Sequence, residues 1–92
     1  MNIQHTDDGL KGKFFIEQDG TEVAEMTYVW AGDKKFIIDH TEVSDVLKGQ
    51  NVGKQLVAAA VEFARNKQVK IIPLCPFAKH VFDTTVAYRD LL

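Results

Sequence analysis

The chain contains a single cysteine, Cys75, so it cannot form an internal disulfide, and whatever that thiol contributes must come from packing or reactivity. It has no run of about 18 apolar residues, the length a helix needs to cross a bilayer. Its opening stretch, MNIQHTDDGLKGK, lacks the apolar core of a secretory leader. A cytoplasmic protein that does not enter membranes is the expectation. Positive charge is also not in excess. Eleven Lys and Arg against thirteen Asp and Glu leave a net charge of -2, which provides no electrostatic drive toward nucleic acid but is compatible with basic or amine-bearing partners. The three histidines, His5, His40 and His80, are too scattered to suggest a metal site, so none is expected. Internal repeats and low-complexity segments are absent.

What is present is an ordinary globular composition, 46% hydrophobic and 26% charged, unlike that of a disordered chain. The 92 residues are expected to form one domain, residues 1–92. A domain this small hides a modest share of its surface, so its stability should be modest or assisted by ligand.

Periodicity orders the elements. Lys13 to Glu17 is rich in Phe and Ile and is followed by the turn formers Gln18-Asp19-Gly20, which predicts the first strand of a hairpin. From Glu22 to Trp30 the side chains alternate, with Ala24, Met26, Tyr28 and Trp30 on one face and Glu25 and Thr27 on the other. After Ala31-Gly32-Asp33, the stretch Lys35 to Val43 predicts a third strand, giving an antiparallel meander of three. Val52, Leu56, Ala59, Ala60, Phe63 and Ala64 recur at helical spacing and predict a helix over about Val52 to Asn66. The apolar run Val69 to Leu74 predicts a buried fourth strand, parallel to the third because a helix connects them, and ended by Pro73 and Pro76. Phe77 to Leu92 predicts one or two short closing helices. The fold class is therefore α/β in the broad sense (α+β), with His5 in an N-terminal tail and the aromatic set Tyr28, Trp30, Phe36, Phe63 and Phe82 in the core.

The segment LKGQNVGKQLV joins the third strand to the helix. Unpaired amides and the partial positive charge at a helix start make such a loop a good anion site. Gly49 and Gly53 would let an anion approach the backbone, and Lys48 and Lys54 add charge. On its own this pattern is weak and fits an ordinary solvated turn better than an anion site. The loop is not of the G-x-x-x-x-G-K-[ST] type, because three residues rather than four separate Gly49 and Gly53, and Gln55 stands where a hydroxyl would bind magnesium. The dinucleotide fingerprint G-x-G-x-x-G is also missing.

The loop LKGQNVGKQL does resemble the acetyl-coenzyme A loop of GNAT-type N-acetyltransferases. There an Arg or Gln is followed by Gly, any residue, Gly, any residue, and Gly or Ala. Lys48 stands for the first of these, Gly49 for the second and Gly53 for the last, while Asn51 departs from the inner glycine. Asn is the residue best able after Gly to adopt a left-handed conformation. With IDHTEV before the loop and IIPLCPFAKHVF after the helix, the resemblance covers about Lys13 to Leu92 and is closest to a small single-domain subfamily with a Cys at this position.

The resemblance implies a minimal GNAT-like fold and acetyl-coenzyme A as cosubstrate. It further implies that Thr41, Glu42 and Val43 line the pantetheine arm, that Lys48, Gly49, Gln50, Asn51, Val52, Gly53 and Lys54 hold the pyrophosphate, and that the strand ending at Leu74 and Cys75 splays to admit the thioester. Cys75 is then a candidate acetyl acceptor or proton-transfer group, or else a small buried hydrophobe. His40, ending its strand beside Cys75, is a candidate base or a structural histidine, and Glu42 is a second candidate base. Lys79 and His80 read as a solvated helix face.

Two functions follow. One is acetyl transfer to an amine on a small molecule or a protein, directly or through Cys75. The alternative is a module that binds coenzyme A or its acyl esters without efficient transfer. Larger relatives carry N-terminal helices that shape the acceptor site, and a homodimer is one way such a surface could be completed. Many relatives also keep a tyrosine as general acid, a role open here only to Tyr88 if it folds into the cleft.

Overall fold

The computed structural model describes residues 2–92. The alternation over residues 21–30 places Ala24, Met26 and Tyr28 on a buried face, and this face becomes the floor of the core. Five strands form one sheet in chain order: β1 (Gln4–Asp7), β2 (Lys11–Gln18), β3 (Thr21–Trp30), β4 (Lys35–Val43) and β5 (Lys70–Pro73). Pairing is antiparallel from β1 to β4 and parallel between β4 and β5. Helix α1 (Val52–Lys67) makes the crossover, and α2 (Pro76–Thr84) with a 3-10 segment, Val86–Leu91, completes the chain.

The fold is the expected one with a strand added before it, except that β5, expected to be buried, is a short edge strand in which Ile71 alone is buried. The stretch QHTD pairs with β2, so the meander has four strands and the parallel strand is the fifth. His5 is accordingly not a tail residue: it stacks on Phe14 with ring centroids 4.1 Å apart, and its Nε2 lies 2.6 Å from the Tyr28 hydroxyl. That hydroxyl donates to Asp7 Oδ2 at 2.6 Å, and Trp30 Nε1 donates to the same oxygen at 2.9 Å. These long-range bonds hold a strand that has no buried residue of its own.

Both helices pack on one face of the sheet. Leu56, Val57, Ala60, Val61 and Ala64 of α1 and Ala78, Val81 and Phe82 of α2 share one core with Phe14, Met26, Tyr28, Phe36, Ile38 and Ile71. Val57 and Val61 widen the apolar face of α1 beyond the stripe read from spacing, and Phe63 and Ala59 lie partly buried at its margin. Tyr88 packs against Phe82, centroids 5.7 Å apart. Among the described residues no helix is long and apolar enough to cross a membrane.

Candidate functional site

The register between β3 and β4 slips by one residue: Tyr28 pairs with Ile38, but Thr27 pairs with His40, leaving Asp39 as the extra residue of a bulge. A bulge reverses which side chains face which side of a strand. Before it, Phe36 and Ile38 face the core; after it, Thr41 and Val43 do, opposite Met26 and Ala24. His40 and Glu42 therefore face the other side. The signal was present in KFIIDHTEV, where the apolar and small positions shift from even numbers to odd ones midway along the strand.

β5 leaves β4 at the same point. Their pairing runs from Lys35 with Lys70 to Ile38 with Pro73, and the amides of Leu74 and Cys75 both end on the Ile38 carbonyl at 3.0 Å. Beyond Ile38 the β4 edge has no strand beside it among the described residues, so its backbone groups are free for a guest that pairs as a strand would.

The loop between β4 and α1 lies across this opening. Ser44 caps a 3-10 segment, Asp45–Leu47, and the chain then turns through Gly49 (φ 82°) and Asn51 (φ 56°, ψ 31°), both in the left-handed region. Asn51 thus takes the conformation expected of it. The first helical bond is that of Gln55 to the Asn51 carbonyl, so the amides of Val52, Gly53 and Lys54 have no acceptor within α1. Gly53 is needed for close approach: a Cβ there would stand 2.5 Å from Phe77 Cζ. Thr41, Val43, Leu47, Lys48, Gly49, Asn51, Val52, Gly53 and Phe77 line one groove of about 340 Å³. Leu47 and Phe77 were not singled out from the sequence. Gln50 and Lys54 sit exposed beside the groove, with the Gln50 carbonyl taken by Gln55 Nε2 at 2.9 Å, and Leu74 is exposed at the end of β5.

Cys75 sits at the inner end of the split as the N-cap of α2. Its sulfur accepts from the Ala78 amide at 3.3 Å and lies 3.2 Å from the Thr41 hydroxyl, with 6% of the residue exposed. The expectation that His40 reaches this thiol is corrected by the bulge. Thr41 is the residue that meets Cys75, whereas His40 Nε2 lies 3.3 Å from Glu42 and 3.9 Å from Glu25 on the opposite face. The histidines are indeed scattered, but Glu25, His40 and Glu42 bring three donor atoms within 4.8 Å of one another, a set that could ligate a cation. Tyr88, packed on Phe82, is on the core side and not in the split. Lys79 is exposed and pairs with Asp83 at 3.1 Å, and His80 is exposed, as a solvated helix face requires.

Comparison with known proteins agrees with this geometry. The sequence profile described as GCN5-related N-acetyl-transferase matches residues 13–91. The solution structure of a GCN5-like protein from Staphylococcus aureus superposes with a TM-score of 0.77 at 41% identity, covering 98% of this chain and 85% of that one. Protein NATD1 of Xenopus tropicalis is 28% identical over 76 residues, 82% of this chain and 68% of its own. A GNAT family acetyltransferase from Elizabethkingia anophelis with acetyl-CoA bound has a TM-score of 0.56 at 16% identity, covering 66% of this chain and 40% of that one, a likeness of fold. A profile match over most of the chain, joined to a sheet that parts beside a left-handed loop and a helix start, establishes that the chain belongs to the GCN5-related N-acetyltransferase family.

Proposed function

We propose that this protein transfers an acetyl group from acetyl-coenzyme A to an amine, and that the groove between β4 and the start of α1 holds the coenzyme. The observation that carries this reading is the coincidence of three features at one place: the unpaired amides of Val52, Gly53 and Lys54, the two left-handed residues Gly49 and Asn51, and the free edge of β4 beyond Ile38. Aligned unpaired amides suit a pyrophosphate. Lys48 and Lys54 add charge to its margin, while Thr41 and Val43 wall the arm that runs toward the split. Bound there, acetyl-coenzyme A supplies an acetyl carbon already activated as a thioester.

The chain's own groups divide between the two faces of the sheet. Thr41 and Cys75 stand on the coenzyme side; His40 and Glu42 stand on the other, where the amine arrives. We assign proton removal to the His40–Glu42 pair: the imidazole takes the ammonium proton and Glu42 orients the ring, a division suited to general base catalysis. The amine nitrogen then forms the new C–N bond as the C–S bond breaks, and the second proton it loses passes to the departing sulfur, so that coenzyme A leaves as its thiol. Direct transfer fits better than a Cys-linked route, because the Cys75 sulfur is buried and already engaged with Thr41 and Ala78.

Calorimetric titration with acetyl-coenzyme A, followed by measurement of free thiol with and without amines, tests this. Binding with amine-dependent thiol release is the expected result. Binding without release would make the protein a coenzyme-binding module, and no binding at millimolar ligand would overturn the reading.

A further inference from the structure

The sheet has a second face that neither helix covers. The strand registers arrange its side chains in rows. Val29, Ile37 and Ile72 stand side by side across β3, β4 and β5; Lys13, Thr27 and His40 form the next row; Phe15, Glu25 and Glu42 form a third. The bulged Asp39 lies between the first two, its Oδ1 accepting from the Thr27 hydroxyl at 2.6 Å. Val29 and Ile72 are 41% and 38% exposed. A groove of about 610 Å³ runs along this face toward β1, with Asp8, Lys11, Glu25, Thr27, Val29 and Asp39 in its wall.

Charge on this face is uneven. Glu25, Asp39 and Glu42 gather where β4 parts from β5, and Glu25 and Glu42 are direct cross-strand neighbours, an arrangement of like charges that costs stability unless a cation is close. Lys13, the nearest lysine in these rows, is already joined to Glu22. Within the cluster His40 Nε2 reaches Glu42 at 3.3 Å and Glu25 at 3.9 Å, so an apolar strip runs beside three carboxylates with one imidazole among them.

We infer that this open face is a docking surface for a basic polypeptide segment that presents a lysine to the split. The inference rests on the transfer reading above and names the acceptor class for it. Aliphatic side chains of the segment lie on Val29, Ile37 and Ile72, and its ammonium groups meet Glu25, Asp39 and Glu42. The apolar strip favours a polypeptide over a free polyamine, which has ammonium groups to satisfy but no side chains to bury. A second copy of this chain is the poorer occupant: packed about a two-fold axis through the split, it would set each carboxylate cluster against its counterpart.

The test uses the full chain saturated with coenzyme A, so that binding is read without turnover. The probe is a fluorescein-labelled peptide carrying lysines and leucines, followed by anisotropy, with spermine and a peptide carrying glutamate in place of lysine as competitors. The peptide should bind, weaken as salt rises, and shift the amide resonances of Glu25, Ile37 and Asp39 but not those of the central α1 turns. Glu25→Gln with Asp39→Asn should weaken it about tenfold, and Val29→Ser with Ile72→Ser should weaken it several-fold. Asn at 39 can still accept from Thr27, so the bulge survives, and unchanged coenzyme A affinity reports that each variant is folded. Equal peptide affinity in all variants, resonance shifts confined to other surfaces, spermine competing as well as the peptide and regardless of the apolar substitutions, or a dimer abolished by those substitutions would each overturn the inference. Peptide binding without coenzyme A binding would instead overturn the transfer reading and leave the docking surface standing.

Discussion

Asn51 is the residue on which the proposed coenzyme groove turns. Its φ of 56° costs most L-residues about 1 kcal/mol or more, and Asn tolerates it better than any residue but Gly. Asn51→Ala should therefore lower stability by about 1 kcal/mol and weaken acetyl-coenzyme A binding, whereas Asn51→Gly should keep both close to the starting values; paired denaturation and calorimetry read the two effects. Gly53 separates them differently. A Cβ there would meet Phe77 Cζ at 2.5 Å, but Phe77 is 38% exposed and its ring can swing outward. Gly53→Ala also gains helix propensity, up to about 1 kcal/mol. The melting temperature should hardly move while affinity falls, because the added methyl and the shifted ring change the wall of the groove that Gly53 and Phe77 both line. At Cys75 the prediction concerns mechanism. Serine is a favoured N-cap and can accept from Ala78 as the sulfur does. Cys75→Ser should preserve stability and transfer, and Cys75→Ala should lose roughly 1 kcal/mol of stability while still turning over. Loss of transfer in the serine variant, with coenzyme affinity intact, would move the acetyl group onto the sulfur.

At the scale of elements, β1 is the strand to watch as pH changes. Although burial alone would raise it, the Asp7 carboxyl is held below its ordinary value of 3.8 by bonds from Tyr28, the Gly9 amide and Trp30. Burial lowers His5 below its ordinary 6.5, outweighing the nearby Asp7, and burial together with Asp7 pushes the Tyr28 phenol up. A depressed carboxyl contributes stability that is present above its unfolded pKa and lost as pH falls through the folded value. A depressed histidine works in the same direction, since the unfolded chain takes up the proton first. Acidification should therefore loosen β1 in two stages, one starting near pH 6.5 and one below pH 3.8. Trp30 is the chain's one tryptophan and donates to Asp7, so its fluorescence reports both stages. Asp7→Asn should remove the lower stage and His5→Gln the upper. The same strand shows what the sequence conceals. The stretch QHTD has no apolar alternation, and what fixes it is a phenol more than twenty residues away, reached over Gly12, where a Cβ would strike Tyr28 Cζ at 2.5 Å. β4, by contrast, was legible end to end, because Phe36, Ile37, Ile38 and Val43 carry strand propensity in the residues themselves. Its bulge leaves only a shift in apolar parity as a trace in KFIIDHTEV, and that bulge decides the side to which His40 and Glu42 point. The start of α1 at Val52 was readable because a left-handed Asn and flanking glycines leave a local trace.

For the whole molecule, size couples stability to ligand. A chain of 92 residues has one small core, and the proposed coenzyme groove joins three of its parts: the free end of β4, the first turn of α1 and Phe77 at the start of α2. A ligand seated there would tie together elements that otherwise meet only through that core. Binding to the folded state at a concentration about a hundredfold above the dissociation constant adds about 2.7 kcal/mol. In a domain of this size each kcal/mol moves the melting temperature by about 4–8 °C. Saturating acetyl-coenzyme A should therefore raise the melting temperature by roughly 10–20 °C. Asn51→Ala should show a smaller rise at the same ligand concentration, because its affinity is lower, and that rise should begin from a lower melting temperature than the parent's. Substitutions on the open face, such as Val29→Ser, should leave the rise unchanged, since Val29 lies outside the groove. A shift equal in the parent and in Asn51→Ala would place the ligand away from the β4–α1 loop, and no shift in the parent would remove the coenzyme from the account of this fold.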